Sequence, residues 1–105
     1  MKQITQEQVN ELIEKSDAFT DGGEWAVING GGILISIDAV LVGEEVTYLV
    51  EIRETGCDVM GPEDCAPLVD MNWTAAWVSE DHAEAVQFYA GKITESALNR
   101  LQNSI

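Results

Sequence analysis

The chain has 105 residues, 46% of them hydrophobic, with 19 Asp and Glu against five Lys and Arg and a formal net charge of -14. That length suits a single domain around one core, and the apolar content is too high for a disordered acidic tail. The charge argues against direct binding of nucleic acid or anionic lipid, both of which need a cationic face.

A small domain usually carries a net charge of magnitude about 2–8. A larger excess destabilises the compact state by self-repulsion, which implies a use beyond solubility. The partners it favours are basic: a nucleic-acid-binding groove, a basic toxin, or an Arg-rich protein surface. Plain solubility is the alternative. The opening MKQITQEQVNELIEK is polar and lacks the apolar core of a secretory signal, so the cytosol is the expected location.

Thr5-Gln6-Glu7-Gln8 fits a capping box and opens a first helix. Val9, Leu12, Ile13 and Ser16 recur at helical spacing and give it one modest apolar stripe. Glu7, Glu11 and Glu14 make an acidic row on another face, with Asp17 close by. Neighbouring carboxylates of that row stand roughly 5–6 Å apart along the axis. Phosphates along a nucleic-acid strand repeat at about 6–7 Å, an order-of-magnitude match. An ordinary solvated helix face is the plainer reading of the same row.

Asp21-Gly22-Gly23 turns the chain into a first strand, Glu24 to Asn29. Asn29-Gly30-Gly31-Gly32 is a hairpin signal, because Asn and Gly accept the positive φ of tight turns. A phosphate loop is excluded: a β-rich segment follows the glycines and no Lys-Ser/Thr pair is present. Ile33 to Val42 is apolar on both alternating sets, which predicts a central strand. Gly43-Glu44-Glu45 forms the next turn. In the third strand, Val46 to Glu54, Val46, Tyr48, Val50 and Ile52 share one face. Thr47, Leu49, Glu51 and Arg53 share the other, expected to be wetter, where Glu51 and Arg53 offset each other.

Thr55 to Asp70 contains Gly56, Gly61, Pro62 and Pro67 and reads as a long ordered loop, of a length that is often functional. Its acids Asp58, Glu63 and Asp64 are candidates for partner contact. Cys57 and Cys65 match none of the short zinc spacings, so two unpaired cytosolic thiols are the simplest reading. A loop disulfide, or a mixed metal site with His82, are the alternatives; no metal and no cofactor are expected. Met71 to Val78 predicts a fourth strand with Met71, Trp73, Ala75 and Trp77 on one face. Paired Trp residues there serve a core or an interface more readily than base stacking, which needs a basic groove.

Ser79 is positioned to cap the last helix, with Glu80, Asp81 and Glu84 in its first turns, where acids suit the dipole. Ala83, Val86, Ala90, Ile93, Ala97 and Leu101 form its stripe, widened by Phe88 and Tyr89. Gly91 either sits within the helix at a cost or splits it, with Thr94 recapping a short final piece.

These elements predict one α+β domain, residues 1–105, ordered α-β-β-β-β-α. It is an antiparallel four-stranded meander with both helices packed on it, most simply on one face. With the stretches GGEWAVINGGG and SEDHAEAVQFYAGKI, its size, element order and acidity, the chain resembles the small phage-borne anti-CRISPR proteins that occupy nucleic-acid sites on type I surveillance complexes. It is similar in the same general way to bacterial secretion chaperones. The resemblance implies an inhibitor and no enzyme; it assigns no residue roles. From charge, the expected partner-binding residues are Glu7, Glu11 and Glu14, Asp58, Glu63 and Asp64, and Glu80, Asp81 and Glu84. Their carboxylates would stand where phosphates normally stand in a basic groove. A chaperone or immunity protein for a basic effector, using an apolar patch around Trp73 and Trp77, is the second expectation. A small Cys and His metal protein or enzyme is the third.

Overall fold

The computed structural model describes residues 1–20, 24–28, 33–54 and 72–103. Among these residues lie six strands and two helices. In chain order they are β1 (Lys2–Ile4), α1 (Gln6–Lys15), β2 (Ala18–Phe19), β3 (Glu24–Ile28), β4 (Ile33–Val42), β5 (Glu45–Glu54), β6 (Asn72–Ser79) and α2 (His82–Asn103). The class is α+β, and the expected meander is present as β3-β4-β5-β6, antiparallel throughout. Two strands extend it beyond the expected four. β1 pairs with the outer edge of β6, and β2 lies beside β4 next to β3.

α1 forms where the capping box predicts. The Thr5 hydroxyl accepts from the Gln8 N–H at 3.2 Å, and the Gln8 side chain accepts from the Thr5 N–H at 2.8 Å. These satisfy two of the donors that a helix start leaves unpaired. The helix ends at Ser16, whose hydroxyl donates to the Ile13 carbonyl at 2.6 Å. The β4-β5 hairpin turns at Gly43, with φ +62°, where only glycine is unstrained. An Asp17 carboxylate oxygen accepts from the Gly43 N–H at 2.7 Å and ties this turn to β2.

β4 is the central strand, as its double apolar pattern predicts. Ile35, Val40, Leu49 and Val50 are fully buried, and they divide between two cores. Val9 of α1 packs with Val40, Leu49 and Ala76. Tyr89 of α2 packs with Ile35 and Val50. Leu49 and Val50 are sequential in a strand, so they point to opposite faces. The helices therefore cover opposite faces of the sheet, and the one-face arrangement is corrected. β1 and β2 lie at opposite ends of the strand order, four inter-strand steps apart, which is roughly 19 Å at ordinary spacing. α1, ten residues long, spans about 15 Å. It is thus the strap that carries the chain across one face between the two edges, and α2, leaving β6, takes the other face.

Two further expectations change. β5 and β6 slip register between Ile52 and Arg53: Ile52 faces Ala75, and Arg53 faces Trp73, leaving Thr74 extra. Such a bulge reverses the alternation beyond it. Trp73 accordingly joins the core under α1, and Trp77 the core under α2, so the two Trp do not share a face. At the start of α2 the cap is Asp81 and not Ser79. Asp81 Oδ1 accepts from the Glu84 N–H at 3.1 Å, while Ser79 Oγ accepts from the Asp81 N–H at 3.0 Å. α2 runs unbroken through Gly91, and Thr94 Oγ1 donates to the Ala90 carbonyl at 3.0 Å within it.

Candidate functional site

Glu7, Glu11 and Glu14 are exposed along the outward side of α1, opposite buried Val9. Glu80, Asp81 and Glu84 are exposed at the start of α2. Two of these three have local work: Asp81 caps the helix, and Glu84 accepts the Met1 amino group. Asp58, Glu63 and Asp64, with Cys57 and Cys65, lie outside the described residues.

α1 and the β6-α2 junction meet at one groove of about 400 Å³. Ile4, Leu12 and Val78 supply its apolar surface, with Gln8 on the α1 wall and Ser79 and Glu80 on the other. Lys2 also lines it and is the one cation among those lining residues. Of the described candidate acids only Glu80 lines this depression; α1 contributes Gln8 and Leu12, and Glu7, Glu11 and Glu14 stand on the helix's outward side. The groove joins residues far apart in sequence and was not visible in either helix alone.

The opposite end of the same face holds buried polar side chains. Residues paired across antiparallel strands share a face. Trp25, Ser36, Glu51 and Ala76 therefore form one row, and Leu34, Arg53 and Trp73 the next. Glu51 is only 2% exposed, Asp38 5% and Ser36 6%, so the face expected to be wet is closed at Glu51. Arg53 donates to Glu51 Oε2 at 3.0 Å. Burial raises the Glu51 pKa above the ordinary carboxylate value; Arg53 opposes this and the Asp38 charge adds to it. The Trp73 indole is near enough to favour the charged form, yet its N–H makes no hydrogen bond of acceptable geometry. Ser36 Oγ is likewise buried without a hydrogen-bond partner. In sequence, the signal for this group was Ser36 and Asp38 standing two apart in the most apolar strand; the fold sets Ser36 opposite Glu51 and Asp38 opposite Leu49.

A second cavity, about 360 Å³, opens on the α2 face. Glu24 and Thr20 stand beside it, Ile37 and Ala39 belong to its sheet side, and Tyr48, His82 and Tyr89 supply three rings. The fold places His82 edge-on to Tyr48, ring centres 5.0 Å apart. Burial, and then the Glu24 charge, push the Tyr89 phenol above its usual pKa.

Among the described residues no three His, Cys, Asp or Glu side chains gather as metal ligands would. No described helix is long and apolar enough to cross a membrane. Fold and surfaces together define an acidic α+β domain with a helix on each face of one antiparallel sheet. Compared with family models, with curated proteins and with solved structures, the chain finds no match.

Proposed function

We propose that this protein is a small acidic inhibitor that occupies the basic groove of a nucleic-acid-binding protein or ribonucleoprotein complex, acting in the cytosol. One observation carries the reading: Glu7, Glu11 and Glu14 stand exposed along the outward side of α1, while Gln8 and Leu12 of the same helix and Glu80 of the β6-α2 junction line a groove with an apolar surface. Lys and Arg arranged for phosphates attract such a surface at long range, and the apolar surface adds contact area that salt does not screen. The resemblance to phage-borne inhibitors makes a type I CRISPR surveillance complex the first target to test. The expected partner-binding residues are Glu7, Glu11 and Glu14, with Glu80 in support. Asp81 and Glu84 contribute charge while holding the start of α2.

The test is displacement of target DNA from the surveillance complex, measured at low and high salt for the native chain and for a Glu7→Lys/Glu11→Lys/Glu14→Lys variant. Exposed charges of one sign act mainly on association rate, so the variant should lose about ten- to a hundredfold in potency at low salt. The native chain should weaken steeply as salt rises. Equal potency of the two proteins, or indifference to salt, overturns the reading.

The second reading is a chaperone or immunity protein for a basic effector. It rested partly on a shared Trp73 and Trp77 patch, which the bulge at Thr74 divides between two cores. The surface formed by Ile4, Leu12 and Val78 is the observation that still favours it. It requires binding that persists at high salt.

A further inference from the structure

The face under α2 carries two aromatic sites that differ in one respect. At the first, Trp77 and Phe88 have ring centres 5.0 Å apart. The chain's own Lys92 sets its ammonium 4.8 Å from the indole centre and 5.2 Å from the phenyl centre. A cation over an aromatic face is attracted by the ring quadrupole. At the second, Tyr48, His82 and Tyr89 surround the cavity of about 360 Å³, and no Lys or Arg is among the described residues lining it. Glu24 lines it instead. The ladder places Glu24 opposite Ile37, on the same face as Tyr48, and Val86 at the mouth is 42% exposed, so the site is open to solvent. The volume falls in the range of about 300–1,000 Å³ usual for small-ligand pockets.

We propose that this cavity receives the guanidinium of an arginine from the basic partner. Its planar cation stacks on the Tyr48 ring while its N–H groups donate to the Glu24 carboxylate. A guanidinium suits the site better than an ammonium, because it is flat, weakly hydrated and able to pair with a carboxylate through two parallel bonds. The site deepens the function proposed above: it names the side chain that the partner contributes on the face away from α1. It rests on that reading only for the source of the arginine. The recognition chemistry is a property of Glu24, Tyr48, His82 and Tyr89.

The experiment is an NMR titration of the native chain with three probes: N-acetyl-arginine amide, N-acetyl-lysine amide and the neutral N-acetyl-citrulline amide. The arginine probe should shift the Tyr48, His82 and Tyr89 ring signals saturably and leave Trp77 and Phe88 unmoved. The other two probes should bind more weakly. Glu24→Gln, at an exposed position, and Tyr48→Leu should each weaken arginine binding about three- to tenfold. The Trp77 and Phe88 signals report whether each variant stays folded, and Glu24→Gln suffices if Tyr48→Leu does not. Absence of saturable shifts up to the probe's solubility overturns the proposal. So does citrulline or lysine binding as tightly as arginine, or Glu24→Gln binding like the native chain. No partner is present in this titration, so its failure is distinct from failure of the displacement assay, which reads the α1 carboxylates.

Discussion

The two faces of the sheet are built from the same strands and differ in what covers them. α2, 22 residues long, lies over an apolar row set: Ile35, Ile37, Val50, Ile52 and Trp77. α1, ten residues long, packs with Val40, Leu49 and Ala76. Beyond that core the same face carries Ser36, Asp38, Glu51 and Arg53. Yet Leu49, Val50 and Glu51, three consecutive residues of β5, are all at most 2% exposed. Burial on both faces removes the contrast that alternation normally reads, and a carboxylate ends up inside because its strand does.

The largest test of this comparison is to cut one core residue from each face. Leu49→Ala under α1 and Ile35→Ala under α2 should each cost about 2–5 kcal/mol, the range for fully buried aliphatic truncations. Urea unfolding reads both. A cost below about 1 kcal/mol for Leu49→Ala would mean that α1 does not close a true core, and the two-faced description would break at that point.

Glu51 sharpens the same comparison through pH. Its folded pKa is raised above the 4.5 of the free group, chiefly by burial. The folded state therefore holds the proton more tightly than the unfolded chain, and the associated stability is present below pH 4.5. It is lost as pH rises through the raised folded value. Glu51→Gln removes this titration, so the stability of the variant minus that of the native chain should increase across that window and then level off. Taking the difference cancels the general repulsion among the other carboxylates. A pH-independent difference in urea midpoint would show Arg53 to be holding the Glu51 charge without penalty.

The smallest effect belongs to α2. Gly91 is exposed in the helix interior, and a Cβ placed there meets nothing within 4 Å. Gly91→Ala should raise stability by up to about 1 kcal/mol, through helix propensity and a less flexible unfolded chain. Thermal unfolding checks it; a lower Tm would show that the long helix needs its glycine.

Local rules sufficed where structure is local. The capping box set the start of α1, and the hairpin turn at Gly43 and the strands from Glu24 to Ser79 followed from φ preference and alternation. The exposed acids of α1 were legible as an amphipathic pattern. The short edge strands were not, because Lys2–Ile4 and Ala18–Phe19 contain too few residues for any period to register. They exist because β6 and β4 offer unpaired backbone there.

The sequence by itself determined the elements of the meander, both helices and an acidic surface, since each depends on neighbours a few residues away. Tertiary structure decided which face each helix takes, because α1 must cross between the two ends of the sheet. It also separated Trp73 from Trp77, because one extra residue at Thr74 inverts the pleat, and it brought Glu24, Tyr48, His82 and Tyr89 around one cavity. Those outcomes are set by strand register and by which segments meet, quantities to which residues dozens of positions apart contribute jointly and no local window holds.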